Sequence, residues 1–233
     1  MSEREHDDPS RPAPLAILGG TFDPVHYGHL RAADEVRMAL DLPDVRLVPA
    51  GDPPHREAPR ASARDRVAML DLAAREFPGL GVDTREIVRG GKSFTVDTLR
   101  ELRAEYPGTP LLVVVGADAF RGVPTWHAWR SLFELAHVIV VPRPGVDVGA
   151  GLPEALAREW QARHTEDARA LRFAAAGSID VQPVTAQTIS STARRRAIAD
   201  GDAESVEIAG LLPSSVLAYI ESHGLYRPPS HAS

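Results

Sequence analysis

Short apolar runs recur along the chain, and between them apolar residues return every three or four positions. The runs at 15–18, 45–48, 111–115 and 138–141 have the length and branched content of buried strands. Weaker strand candidates lie at 81–88 and 179–183. Helical spacing runs over 30–40 and through Val67, Leu70, Ala74 and Phe77. It returns in Val96, Leu99, Arg103 and Tyr106, where the arginine marks the edge of the stripe. Further helices are expected near 153–164 and 213–223. Short buried strands alternating with helices predict an α/β fold, a doubly wound parallel sheet with helices on both faces.

Residues 145–178 break this rhythm and read as an excursion from the sheet, with no repeat and no separate core. Residues 1–13 read as a disordered lead, 14–226 as a single domain and 227–233 as a short tail.

Composition narrows the class. The 233 residues are 43% hydrophobic and 25% charged, as in a soluble globular protein. A formal charge of −6 excludes a general nucleic-acid binder, which needs a basic surface. With no cysteine there are no disulfides, thiolate metal sites or cysteine nucleophiles. The charged, proline-rich start has no signal-peptide pattern, and no apolar run is long enough to span a bilayer. A cytoplasmic protein is expected.

The notable polar motifs all follow strands. Gly-Gly-Thr-Phe-Asp-Pro-Val-His-Tyr-Gly-His at 19–29 follows the first, and Pro-Ala-Gly-Asp-Pro-Pro-His-Arg at 49–56 the second. Gly-Ala-Asp-Ala-Phe at 116–120 and Pro-Arg-Pro-Gly at 142–145 follow the runs at 111–115 and 138–141. One rim of one sheet would carry them, and ligands of such sheets bind beyond the carboxyl ends of the strands.

The glycine turn at 19–29 leads from a strand into a helix, whose N-terminus favours an anion. His26 and His29, three residues apart, can face that anion together once the segment coils. The arrangement suits a polyphosphate. A zinc site is a poor fit, because no third ligand stands at a recognisable spacing. Ile-Ser-Ser-Thr-Ala-Arg-Arg at 189–195 offers three N-cap residues, Ser190, Ser191 and Thr192, with Arg195 one turn inside. Together the two segments would form the jaws of a triphosphate clamp.

His26-Tyr27-Gly28-His29 resembles the HxGH signature of the nucleotidyltransferase superfamily, and 189–195 resembles its ISSTxxR motif. From about residue 14 to Tyr226 the chain resembles bacterial nicotinate-nucleotide adenylyltransferases. The resemblance rests on Pro54-His55-Arg56, on Ser-Phe-Thr-Val-Asp-Thr-Leu at 93–99, on Gly116–Asp118, and on Pro-Thr-Trp-His-Ala-Trp at 124–129. It extends to Arg143–Gly145 and to the terminal Pro-Ser-x-Val, Tyr-Ile and Gly-Leu-Tyr of 213–226. Phe94 and His127 depart from the family, which commonly has tyrosine at both positions.

This resemblance implies a Rossmann-like fold and adenylyl transfer from ATP to nicotinate mononucleotide. His26, His29 and Arg195 would stabilise the charge of the triphosphate as phosphoryl transfer proceeds. Gly19, Gly20, Thr21, Phe22, Gly116, Asp118, Ser190, Ser191 and Thr192 would shape the ATP site; Asp118 fits a strand-end cap equally well. His55, Arg56, Thr95, Trp126, His127 and Arg143 would receive the acceptor, with Trp126 stacking on its ring. Backbone N–H groups around Trp126 and His127 would hold its carboxylate, while an ordinary surface position competes for Arg56. Mg²⁺ would ride on ATP phosphates, with no protein cage. The partners are ATP and nicotinate mononucleotide, with no nucleic acid and no membrane; oligomeric state is not readable. Pantetheine-phosphate adenylyltransferases and cytidylyltransferases would share the phosphate motifs but leave Thr95, Asp97 and Trp126 unexplained. A non-catalytic nucleotide sensor would bind ATP without releasing pyrophosphate. An RNA-binding module fails on charge.

Overall fold

The computed structural model describes residues 12–53, 58–185 and 210–227. Six strands form one sheet: β1 (Leu15–Gly20), β2 (Val45–Pro49), β3 (Leu80–Val82), β4 (Leu111–Gly116), β5 (His137–Val141) and β6 (Ile179–Val181). Their order is β3-β2-β1-β4-β5-β6, and every pair is parallel. The chain winds outward from β1 to β3, then crosses back to β4 and winds the other way. The reversal falls between β1 and β4, where Leu18 lies beside Val114. Sheets of this kind bind ligands at that switch point.

Alternation along the strands divides the core in two. Ala16, Leu47, Leu112, Val114 and Ile139 face one layer. It is covered by α1 (Tyr27–Ala39), α2 (Ala63–Ala74) and the last described helix, α9 (Ser214–Ser222). Leu15, Ile17, Val113, Val115, Val138 and Val140 face the other. There α4 (Thr95–Glu105), α5 (Ala117–Arg121), α6 (Leu132–Leu135) and α7 (Glu154–Arg163) complete the cover. Both faces of a parallel sheet must be buried in this way, because crossover helices lie on each. The doubly wound α/β reading of the sequence is what the structure has.

Three details differ from the sequence reading. The strand expected over 81–88 stops at Val82, and α3 (Arg85–Arg89) follows. Asp83 turns the chain by accepting from the backbone N–H of Arg85 and from its guanidinium, which leaves Val88 80% exposed on the short helix. The buried stripe of α2 consists of Arg66, Met69, Leu70 and Ala73, one residue out of phase with the stripe expected from Val67 and Ala74. Phe77 lies beyond the helix and packs against Tyr27.

In α4 the buried residues are Val96, Thr98, Leu99 and Leu102. Arg103 does stand at the stripe's edge. Its guanidinium donates to the carbonyls of Tyr106, Thr109, Leu135 and Ala175, tying loops at the amino end of the sheet. The excursion over 145–178 contains α7 and α8 (Ala170–Phe173). Leu156 of α7 is buried in one core layer and Leu171 of α8 in the other.

Candidate active site

The motifs at 19–29, 116–120 and 142–145 emerge side by side at the carboxyl rim, on β1, β4 and β5. Space lies open above Gly19 and Gly116, where an added Cβ would meet nothing within 4 Å. These two exposed glycines flank the switch point and give a ligand access to bare backbone. Gly20 differs: a Cβ there would stand 3.0 Å from the ring of Phe22.

The ring of Phe22 is buried, and the residue adopts a left-handed φ of 48°. That conformation is costly for a bulky side chain and persists only where its surroundings hold it. It turns the chain beneath Gly20 and sets the Phe22 ring edge-on to His29, with centroids 5.0 Å apart. Asp23, also buried, accepts from the backbone N–H groups of Arg60 and Ala61 and from the Tyr226 hydroxyl. The signature loop is thus fastened at its centre to the segment after β2 and to the C-terminal region.

His26 is the N-cap of α1, and His29 lies in its first turn. Their rings stack, with centroids 3.5 Å apart and planes 20° from parallel. The two rings thus lie side by side at the start of the helix. The backbone donors contribute less than the sequence implies: the N–H of Tyr27 donates to Leu211 O, and those of His29 and Leu30 to His26 O. The His26 ring is buried and the His29 ring half-buried, both at the positive end of the 13-residue helix.

Asp118 and Arg143 reach each other from the ends of β4 and β5 and form an ion pair, with side chains 70% and 61% exposed. Both were expected to contact substrate; here each is the other's partner across the rim.

On the acceptor side, Thr95 opens α4 and is half-buried, with Phe94 as N-cap. Trp126 packs on the core beneath with one part accessible. Of the N–H groups expected to hold a carboxylate, that of Trp126 donates to Val123 O at 2.9 Å. Phe94 and His127, the two departures from the family pattern, touch each other, with ring centroids 4.5 Å apart. Trp129 is buried against Phe133, and the Arg130 guanidinium lies over its ring. His55, Arg56, Ser190, Ser191, Thr192 and Arg195 lie outside the described residues.

Sequence reasoning passed over several supports. Ser93 Oγ accepts from the Gly51 N–H at 2.8 Å, and Ser93 N–H donates to Asp52 O, joining the loops after β2 and β3. The buried Glu86 accepts from Thr98 Oγ1 at 2.6 Å, and Arg89 donates to the same hydroxyl. An acidic residue at a buried helical position was the available signal. Arg66 is likewise buried, and bonds to the carbonyls of Thr21 and Gly51. Among the described residues no group of three or more His, Asp or Glu could hold a metal ion. No described helix is long and apolar enough to cross a membrane.

Comparison with known proteins finds relatives along most of the chain. A model of the cytidylyltransferase-like family matches residues 17–197. A probable nicotinate-nucleotide adenylyltransferase of Acidithiobacillus ferrooxidans is 45% identical, over 98% of this chain and all of its own length. One of the same name from Halorhodospira halophila is 46% identical over 92% of this chain and 96% of its own. Among solved structures, nicotinic acid mononucleotide adenylyltransferase of Plasmodium falciparum, complexed with NaAD, superposes with a TM-score of 0.71. It covers 92% of this chain and 98% of its own at 15% identity, a likeness of fold.

Proposed function

We propose, for a chain that belongs to the cytidylyltransferase-like family and within it to the nicotinate-nucleotide adenylyltransferases, that the site adenylylates nicotinate mononucleotide. The products are nicotinate adenine dinucleotide and pyrophosphate, and the reaction is a step of NAD biosynthesis. An oxygen of the acceptor's 5′-phosphate attacks the α-phosphorus of ATP in line. The bond from that phosphorus to the bridging oxygen breaks, and pyrophosphate departs with the electron pair. The attacking phosphate is already ionised, so no carboxylate has to act as base. Catalysis then consists of positioning and charge stabilisation.

The observation that carries this reading is the stacked His26–His29 pair at the mouth of the β1–β4 crevice. It supports a triphosphate lying along α1, with Gly19, Gly20, Thr21 and Phe22 beneath the nucleotide. Arg195 and Ser190–Thr192 are assigned the opposite jaw. Gly116 and Asp118 take the adenosine side. His55, Arg56, Thr95, Trp126, His127 and Arg143 take the acceptor, with the Trp126 ring as the stacking face. Mg²⁺ held by ATP phosphates and water would neutralise charge on the leaving group. We assign residues 14–226 to one catalytic domain, because both core layers share the single sheet. We place the reaction in the cytoplasm.

The test is pyrophosphate release from ATP and Mg²⁺, with nicotinate and nicotinamide mononucleotides offered in parallel. Release with the acid supports the reading. ATP binding without release from either acceptor overturns it in favour of a sensor.

A further inference from the structure

Arg66 occupies the centre of the buried stripe of α2 and is 1% exposed. A buried guanidinium is unfavourable unless its donors are used, and an apolar side chain of similar volume would pack there without that penalty. Desolvation pulls its pKa below the usual arginine value, opposed by the nearby Asp23 and Tyr226. Nε has no hydrogen-bond partner among the described residues, so the side chain is not placed for its own satisfaction. Its two terminal nitrogens, by contrast, reach the loops after β1 and β2, the first of which borders the nucleotide crevice. Nη1 donates to Thr21 O at 2.8 Å, and Nη2 to Gly51 O at 3.4 Å.

Each of those carbonyls sits at a constrained point. Thr21 immediately precedes the left-handed Phe22, whose ring lies edge-on to His29, which in turn stacks on His26. Gly51 is held on other sides as well: Ser93 Oγ receives its N–H, and a Cβ at Gly51 would stand 3.0 Å from Glu86 O. We propose that Arg66 is a positioning residue for adenylyl transfer, spacing the loops after β1 and β2 and thereby fixing how the histidine pair meets the triphosphate. This rests on the function given above. The guanidinium fork is essential to the role, because one planar group must address two carbonyls on different loops.

The test compares Arg66→Lys and Arg66→Met with the native chain. Three quantities are read: kcat and KM for both substrates, the thermal midpoint, and the imidazole resonances of His26 and His29 without substrate. Lysine keeps the charge but lacks the fork; methionine keeps volume and loses every donor. The expected result is a fall in kcat of about 10–100-fold in both folded variants. KM for ATP should change less, and both imidazoles should shift while those of the distant, buried His137 stay in place. Should Arg66→Met fail to fold, Arg66→Lys alone decides. Native kcat in folded Arg66→Lys overturns the proposal and leaves Arg66 a structural residue. Should the native chain not turn over nicotinate mononucleotide, the functional reading fails, and the imidazole resonances decide the positioning role by themselves: shifted support it, unshifted overturn it.

Discussion

The hydroxyl of Tyr226 donates to Asp23 Oδ1 at 2.7 Å, across 203 positions of sequence. Both residues are buried, and the carboxylate also receives the N–H groups of Arg60 and Ala61. Two distant segments thus converge on one side chain in the middle of the signature loop, three residues before His26. A buried carboxylate with fixed donors holds its backbone more firmly than loop packing alone.

Replacing Tyr226 with Phe removes that single donor and keeps the ring. The expected cost is about 0.5–1.5 kcal/mol, the usual net contribution of one hydrogen bond, because Oδ1 keeps the Ala61 N–H. Urea unfolding measures it, and a midpoint equal to the native one would show that the hydroxyl contributes nothing.

His29→Ala should lower kcat by about 10²–10³, the effect of removing one preorganised group from developing charge. The thermal midpoint should move by only a few degrees, since the ring is partly exposed. Pyrophosphate release and a melting curve on the same sample separate the two effects. A large loss of stability with preserved specific activity would contradict the catalytic role.

Gly20→Ala places a methyl group 3.0 Å from the Phe22 ring, so the ring must move. Because that ring abuts His29, activity should fall more than stability does. Steady-state kinetics should show the loss in kcat; an unchanged kcat would mean that the Phe22 ring moves without carrying His29 with it.

The exposed Asp118–Arg143 pair contributes at most about 1 kcal/mol to stability, screened as it is by solvent and salt. Arg143→Ala should therefore leave the thermal midpoint almost unchanged and raise KM for the acceptor roughly tenfold, the loss of one charge-assisted bond. Asp118→Ala should act instead on KM for ATP. A fall in midpoint beyond a few degrees would mark the pair as structural.

His137 begins β5 at the far end of the sheet, with Nε2 against Ala174 O and Nδ1 accepting from Ser178 N–H. Burial holds its pKa below the usual 6.5, outweighing the contact with Ala174. The unfolded chain therefore binds a proton before the folded one. Stability from this residue is intact above pH 6.5 and declines as pH falls from there towards the depressed folded value. Melting curves between pH 8 and 5 should show the decline, and His137→Asn should flatten it.

Local regularities made much of this legible. Four apolar runs and the candidates at 81–88 and 179–183 marked the six strands, that at 81–88 only over its first residues, and the Gly-Gly turn before His26 marked the loop at the rim. Asp83 and Arg85 defeated the reading of 81–88, because side-chain bonds to the backbone outcompete an extended run of mixed polarity. Arg66 was hidden for a different reason. A charged residue in an apolar stripe reads as a phase error until the partner carbonyls, on two other loops, are seen. Phe94 and His127, read separately as departures, prove to be neighbours.

By itself, then, the chain's order of apolar runs and glycine turns determined the alternating elements, the rim that carries the motifs and the adjacency of the histidine pair. These follow from spacing over a few residues, which backbone geometry converts directly into faces and turns. Tertiary structure decided the rest. It set the reversal between β1 and β4, fastened Asp23 to Tyr226, spent the N–H groups of Tyr27 and Trp126, and paired Asp118 with Arg143. Each depends on segments far apart in sequence meeting in space, where desolvation makes a polar group take whichever partner the packing brings within reach.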